Sequence, residues 1–234
     1  MSRRIKLSKT SSMHYFKLVF RSLLFLWALY TFIRYPLLQT ATLKSAGPKY
    51  MPILSFVYIV FLIEMVLRMI PSSIESMGCQ KQFAVNYLPD KSAKGKLKYW
   101  DKSITLTALS WIGLNSIIGV LYFTHLIGDG ALFIIALAYS VSDMICILFF
   151  CPFQTWIMKN RCCTTCRIYN WDYFMMFTPL IFIKSFYTWS LAAISLILLI
   201  RWEITAYRHP ERFSEEYNMN LRCINCQEKY KLQD

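Results

Sequence analysis

The stretch YFMMFTPLIFIKSFYTWSLAAISLILLI, residues 173–200, is apolar for 28 residues yet carries Pro179 and Lys184 in its first half. A helix needs about 20 residues to cross the hydrocarbon core. The block is therefore too long for one simple span and too short for two full ones. It reads either as one long helix or as a broken, re-entrant hairpin: a helix to about Pro179, an irregular turn, and a return helix from Phe186. Irregular backbone at that depth has to be buried in protein. The choice decides which side of a membrane carries residues 201–234.

Four more apolar blocks precede it: FKLVFRSLLFLWALYTFI (16–33), MPILSFVYIVFLIEMVLRMI (51–70), ITLTALSWIGLNSIIGVLYFTH (104–125) and ALFIIALAYSVSDMICILFFC (131–151). In the first, Lys17 and Arg21 sit near one end, where long basic side chains snorkel to the interface. The block is long enough to stay as an anchor and lacks an obvious small-residue cleavage site. Across the chain 56% of residues are hydrophobic, 17% are charged and the mean hydropathy is +0.37. Soluble domains carry about 25% charged residues. The expectation is an all-α, multi-pass membrane protein with about five hydrophobic segments. Residues 1–15 form a basic cytoplasmic tail, 16–200 the helical membrane domain with a basic loop at 71–103, and 201–234 a polar tail ending in a CxxC. No internal repeat and no soluble domain is visible.

The net charge of +13 would suggest nucleic acid in a soluble protein. Here lysine and arginine fix orientation and meet anionic lipid, and nucleic acid is not expected. The N-terminal tail, the loop after the second block and the loop after the fourth hold 13 Lys and Arg, against three in the alternate loops (Arg34, Lys44, Lys49). That places the N-terminus in the cytoplasm of an inner or plasma membrane protein. The tail 201–234 strains a five-span count. It would lie outside, yet it carries six basic residues, balanced by six acidic ones.

All eight cysteines avoid the loops assigned to the outside: Cys79, Cys146, Cys151, Cys162, Cys163, Cys166, Cys223 and Cys226. Paired CxxC sequences in a reducing compartment are more often metal sites than disulfides. Zinc takes four thiolate or imidazole ligands in a tetrahedron, and Cys163, Cys166, Cys223 and Cys226 supply two pairs, with Cys162 and His209 as spare candidates. A whole membrane segment separates the pairs, so such a zinc site would tie the tail to the end of the fourth block. The rival reading is a membrane-embedded thiol–disulfide oxidoreductase using CTTC, with Arg161 and Arg167 lowering the thiol pKa.

Polar residues inside apolar blocks are costly and mark partners or water-filled cavities. Asn115, Asp143 and Lys184 fall at similar depth if the last block runs straight, and together form a candidate buried polar site for a proton, an ion or a head group. Glu64 and Arg68 read as an i,i+4 pair on one helix. Trp171 reads as an interfacial indole, and Asp172 as the cap of the helix after it. His125 and Asp129 are accounted for by a turn. No phosphate-binding loop, nucleophile elbow or HExxH sequence is present. The expected function is to bind or move a small solute, ion or lipid, or to scaffold a protein partner. A lipid-modifying enzyme is a third class with no supporting motif.

Overall fold

The computed structural model describes residues 5–6, 8–34, 51–94, 97, 100–226 and 231–232. Arg3, Arg4, Lys44, Lys49, Lys96 and Lys98, used above for orientation, lie outside the described residues.

The fold is all-α. Its helices are α1 (Lys9–Arg34), α2 (Met51–Arg68), the short α3 (Met77–Gln80), α4 (Lys102–Phe123), α5 (Asp129–Leu148), the short α6 (Asp172–Phe177) and α7 (Phe186–Arg208). Four of them, α1, α4, α5 and α7, are long and apolar enough to cross a membrane. Among the described residues, extended pairing is limited to Ile5–Lys6 (β1) against Lys231–Leu232 (β2) and a bridge between Pro89 and Asn218.

Local chemistry sets the boundaries. Asp101 caps α4, its carboxylate accepting the Lys102 N–H at 2.8 Å. α4 and α5 are joined by a tight turn in which His125 takes a left-handed φ of 60°. Asp129, in the first turn of α5, complements the helix dipole and accepts the Tyr122 hydroxyl at 2.9 Å. Ser76 caps α3.

The helices carry apolar side chains on their outer faces as well as in the core. α4 buries Thr107, Asn115 and Gly119 together with Ile104 and Ile118, while Leu106, Leu109, Ile112, Ile117 and Val120 stay exposed. Small and polar groups facing inward with aliphatic groups outward is the sidedness expected in lipid, where association relies on close packing. At Gly119 an added Cβ would stand 2.7 Å from Phe182 Cζ, so a side chain there would force the Phe182 ring to move.

The long apolar block bends. α6 is followed by a 3₁₀ turn at Thr178–Phe182, an extended Ile183, and then α7. The two arms run antiparallel: Trp202 Nε1 points to the Arg167 carbonyl, while Thr188 Oγ1 donates to the Ile183 carbonyl at 2.7 Å. α6 lies between α5 and α7, and the 3₁₀ turn packs on α4, α5 and α7. α7 continues to Arg208, eight residues past the end of the apolar run. α7 is therefore a full-length helix, and the segment 172–182 packed beside it is short and partly in 3₁₀ geometry, which rises about 2.0 Å per residue instead of 1.5.

One end of the bundle carries a polar cap built from residues 69–94, 149–171 and 209–226. The C-terminal tail is bound to the basic loop. Met219 N–H donates to the Leu88 carbonyl at 2.9 Å and Asp90 N–H to the Tyr217 carbonyl at 3.0 Å. Arg222 pairs with Asp90, and Asn220 reaches the Asn86 carbonyl at 2.8 Å. Beneath the cap lies a core of Trp202, Phe213, Tyr169, Ile168, Ile104 and Cys79. Trp171 belongs to this core and not to an exposed interfacial ring: it is buried, and its indole N–H donates to Glu203 Oε1 at 2.7 Å. Pro210–Phe213 form one 3₁₀ turn, with Phe213 packed edge-on to Trp202 at 4.7 Å.

Candidate functional site

Where the bundle meets the cap, buried charges gather from five elements. Arg21 of α1 is 2% exposed. Its guanidinium forks between Glu64 Oε2 of α2 (2.8 Å) and Asp143 Oδ2 of α5 (3.0 Å), and also donates to the Ser140 carbonyl at 3.2 Å. Lys17, one turn earlier, pairs with Glu75 at 3.1 Å and lies 3.7 Å from Glu64. Arg68 pairs with Asp172 of α6. Tyr173 ties the halves together: its hydroxyl donates to Glu64 Oε2 at 3.0 Å, and Arg68 stands 4.7 Å over its ring. Glu75 lies outside the helices. Burial pushes its carboxyl up, but Arg68 and Lys17 more than offset that and hold it down at about 2. It is therefore ionised at neutral pH.

These pairings revise several expectations. Lys17 and Arg21 turn inward and do not snorkel. Glu64 and Arg68 share a helix but each finds its partner elsewhere. Asp172 does accept the Tyr173 N–H at 2.9 Å, while its other oxygen holds Arg68. The candidate trio does not assemble. Asp143 pairs with Arg21, Lys184 is exposed in the turn before α7, and Asn115 donates to the Trp111 carbonyl of its own helix at 3.0 Å. The bend at Pro179 carries Lys184 away from the depth a straight helix would give it. The missed residue with the largest role is Arg21. The signal for it is a polar stripe of helical period on an apolar helix: Thr10, His14, Lys17 and Arg21, of which Thr10, His14 and Arg21 are buried.

Beside this network lies a pocket of about 700 Å³, counting its open mouth. Trp111, Tyr139, Phe153 and Met175 form much of its wall, Asp143 and Asp172 face it, and Cys146, Cys151 and Cys163 line it. Asp143 thus both holds Arg21 through Oδ2 and forms part of the pocket wall. The network holds three fixed cations, Lys17, Arg21 and Arg68, against four carboxylates, Glu64, Glu75, Asp143 and Asp172. His14 lies near Glu75, and the Cys79 thiol donates to Glu75 Oε2 at 3.5 Å.

The cysteines do not converge as a four-ligand set. Among the described residues no group of three or more His, Cys, Asp or Glu side chains is arranged to hold a metal ion. Cys163 Sγ lies 2.9 Å from Gln154 Oε1 and 3.1 Å from the Cys146 carbonyl. Cys166 is buried, which pushes its thiol up, and a poorly ionised thiol is a weak ligand and a weak nucleophile. Cys223 opens a 3₁₀ turn at Cys223–Asn225 in the tail, and Cys162 lies 2.8 Å from Thr164 Oγ1. His209 is partly exposed and faces Glu211 at 3.1 Å. In contrast, Cys151, just past α5, has its thiol held below the ordinary range because the Cys146 thiol donates to it, with burial opposing and the Gln154 and Phe153 N–H groups assisting.

No known protein family, curated protein or solved structure matches this chain. Its function has to be argued from the site alone.

Proposed function

We propose that this is an integral membrane protein that binds a small apolar solute carrying a positive charge, in the pocket beside Asp143. The observation that carries the reading is the Asp143 carboxyl group on the wall of a largely aromatic pocket, at the edge of a network with one more carboxylate than fixed cations. A carboxylate in apolar surroundings favours a cation strongly, and aromatic faces add to the attraction. Ligand pockets typically combine such apolar walls with a few placed polar groups. Binding or transport of the solute both start from this contact.

In this reading the chain crosses the membrane an even number of times, with α6 and its 3₁₀ turn serving as a short arm beside α7. The N-terminus, the basic loop and the C-terminal tail then share the cytoplasmic side, where Lys91, Lys94 and Lys102 meet anionic lipid. The support is the tail bound to residues 82–90 and the turn 183–185 at the opposite end of the bundle. Single cysteines placed at Lys94 and at Glu215 are expected to react with an impermeant maleimide from the same side, and one at Leu126 from the other. Labelling of Lys94 and Glu215 from opposite sides would remove this topology. Zinc on Cys163, Cys166, Cys223 and Cys226 rests on their spacing alone, and requires about one zinc per chain in purified protein.

The binding reading is tested with benzyltrimethylammonium and, as its opposite in charge, benzylsulfonate, by calorimetry on the full chain in nanodiscs. The cation is expected to bind and the anion not. Asp143→Asn is expected to weaken the cation at least about tenfold, a change of about 1.4 kcal/mol. Met175→Trp, which fills the pocket and leaves Asp143 in place, is expected to do the same. Equal binding of both probes, or none of the cation, would refute the assignment.

A further inference from the structure

The pocket has a second chemistry that cation binding does not use. Cys146 lies in the last turn of α5 and Cys151 just beyond it, and in an unbroken helix residues five apart face different directions. Here the helix ends at Phe149, whose backbone leaves helical geometry, and the chain turns through Pro152 into the next short helical segment. That break brings the two sulfurs together, with the Cys146 thiol donating to Cys151. Cys151 Sγ also accepts the Gln154 N–H at 3.4 Å, so its sulfur is surrounded by donors. Both sulfurs line the pocket, and both side chains are partly accessible. The CTTC motif lacks this arrangement: Cys163 turns to Gln154 and Cys166 is buried.

We propose that Cys146 and Cys151 form an oxidisable dithiol that reduces an organic hydroperoxide entering this pocket. The Cys151 sulfur attacks the terminal oxygen of the hydroperoxide and the O–O bond breaks. Cys151 becomes a sulfenic acid, and the alkoxide leaves as an alcohol with the proton given up by the Cys151 thiol. The Cys146 sulfur then attacks the Cys151 sulfur, loses its own proton, and water departs as the disulfide forms. Two thiols and one hydroperoxide become one disulfide, one alcohol and one water. The apolar walls select an organic peroxide over hydrogen peroxide, and Cys151, whose sulfur accepts the Gln154 N–H at 3.4 Å, is the attacking sulfur.

The assignment stands independently of the cation reading, because it concerns the covalent state of two named sulfurs. Reduced full-length protein in nanodiscs is treated with one equivalent of cumene hydroperoxide, denatured, alkylated and mapped by mass spectrometry. The expected result is a Cys146–Cys151 disulfide before any other, formed faster than with hydrogen peroxide. In Cys146→Ser, dimedone is expected to trap a sulfenic acid on Cys151. Wild-type protein suffices for the first readout, so a variant that folds poorly does not decide the matter. A first disulfide involving Cys162, Cys163, Cys166, Cys223 or Cys226, or no disulfide at all, would overturn the proposal.

Discussion

Arg21→Met is expected to destabilise the protein by about 3–5 kcal/mol, the range for removing one partner of a buried ion pair. Both Glu64 and Asp143 direct an oxygen at this guanidinium. Without it Glu64 keeps Lys17 at 3.7 Å and the Tyr173 hydroxyl, but Asp143 loses the single cation it pairs with. The damage should therefore fall mainly on Asp143, and Arg21→Met with Asp143→Asn should recover part of the loss. The coupling is read from the double-mutant cycle. Arg21→Lys is expected to be intermediate, since an ammonium cannot fork between two carboxylates in the fixed geometry of a guanidinium. Unfolding in mixed micelles with increasing dodecyl sulfate measures wild type and all four variants. A single Arg21→Met variant within about 1 kcal/mol of wild type, the scale of an exposed pair, would mean that the network is hydrated and not a structural centre.

The way this centre is assembled explains what was readable beforehand. Apolar blocks of about 20 residues announce themselves because lipid demands them, and the blocks at 16–33, 104–125 and 131–151 each coincide in most of their length with a helix long enough to span. The break at Pro179 was also visible. What could not be read was how far α7 extends past the apolar run. Arg201 and Glu203 look like the start of a soluble tail, yet Arg201 donates to the Met69 carbonyl at 2.9 Å and Glu203 anchors both Arg167 and Trp171. Polar residues used to join a helix to its cap cannot be told from solvated ones by composition. Pairing is less legible still. Arg21 meets Asp143 across 122 positions, and only the helical period of the stripe on α1 points to an inward face. Glu64 and Arg68 have the spacing of a local pair, but tertiary partners win because they are rigidly placed by packing. Cysteine spacing misleads for a related reason. A CxxC reports only a local turn, whereas Cys146 and Cys151 meet because a helix stops between them.

Replacing Lys81 with methionine is expected to cost more at high pH than at low pH. Lys81 is fully buried under the cap and donates to two carbonyls, Cys166 O at 2.8 Å and Thr164 O at 3.1 Å. Its amine also lies 5.5 Å from the Trp202 ring and 5.7 Å from that of Phe213. It thereby joins the segment after α3, the turn at 163–166 and the end of α7. Burial pushes its pKa down to about 7 from the ordinary lysine value of 10.5, with Arg167 adding in the same direction and the neighbouring thiols Cys166, Cys162 and Cys79 opposing. Neutral amine brings two N–H groups to two carbonyls, whereas the ammonium adds a third proton and a charge to be desolvated. The unfolded chain keeps the lysine proton up to about pH 10.5 while the native chain releases it near 7. Between those values the unfolded state binds more protons, so this group makes stability rise with pH by at most about 1.4 kcal/mol per unit. Below pH 7 both states are protonated and its contribution is constant. Methionine fills the space but leaves two buried carbonyls without their donor, at about 1–3 kcal/mol each. Near pH 6 that loss is partly offset by removing a buried charge, and near pH 9.5 it is not. The difference in unfolding free energy between wild type and Lys81→Met should therefore widen by several kcal/mol from pH 6 to pH 9.5. A constant difference across that range would show that Lys81 stays charged in the folded cap, held by its carbonyls and the two rings.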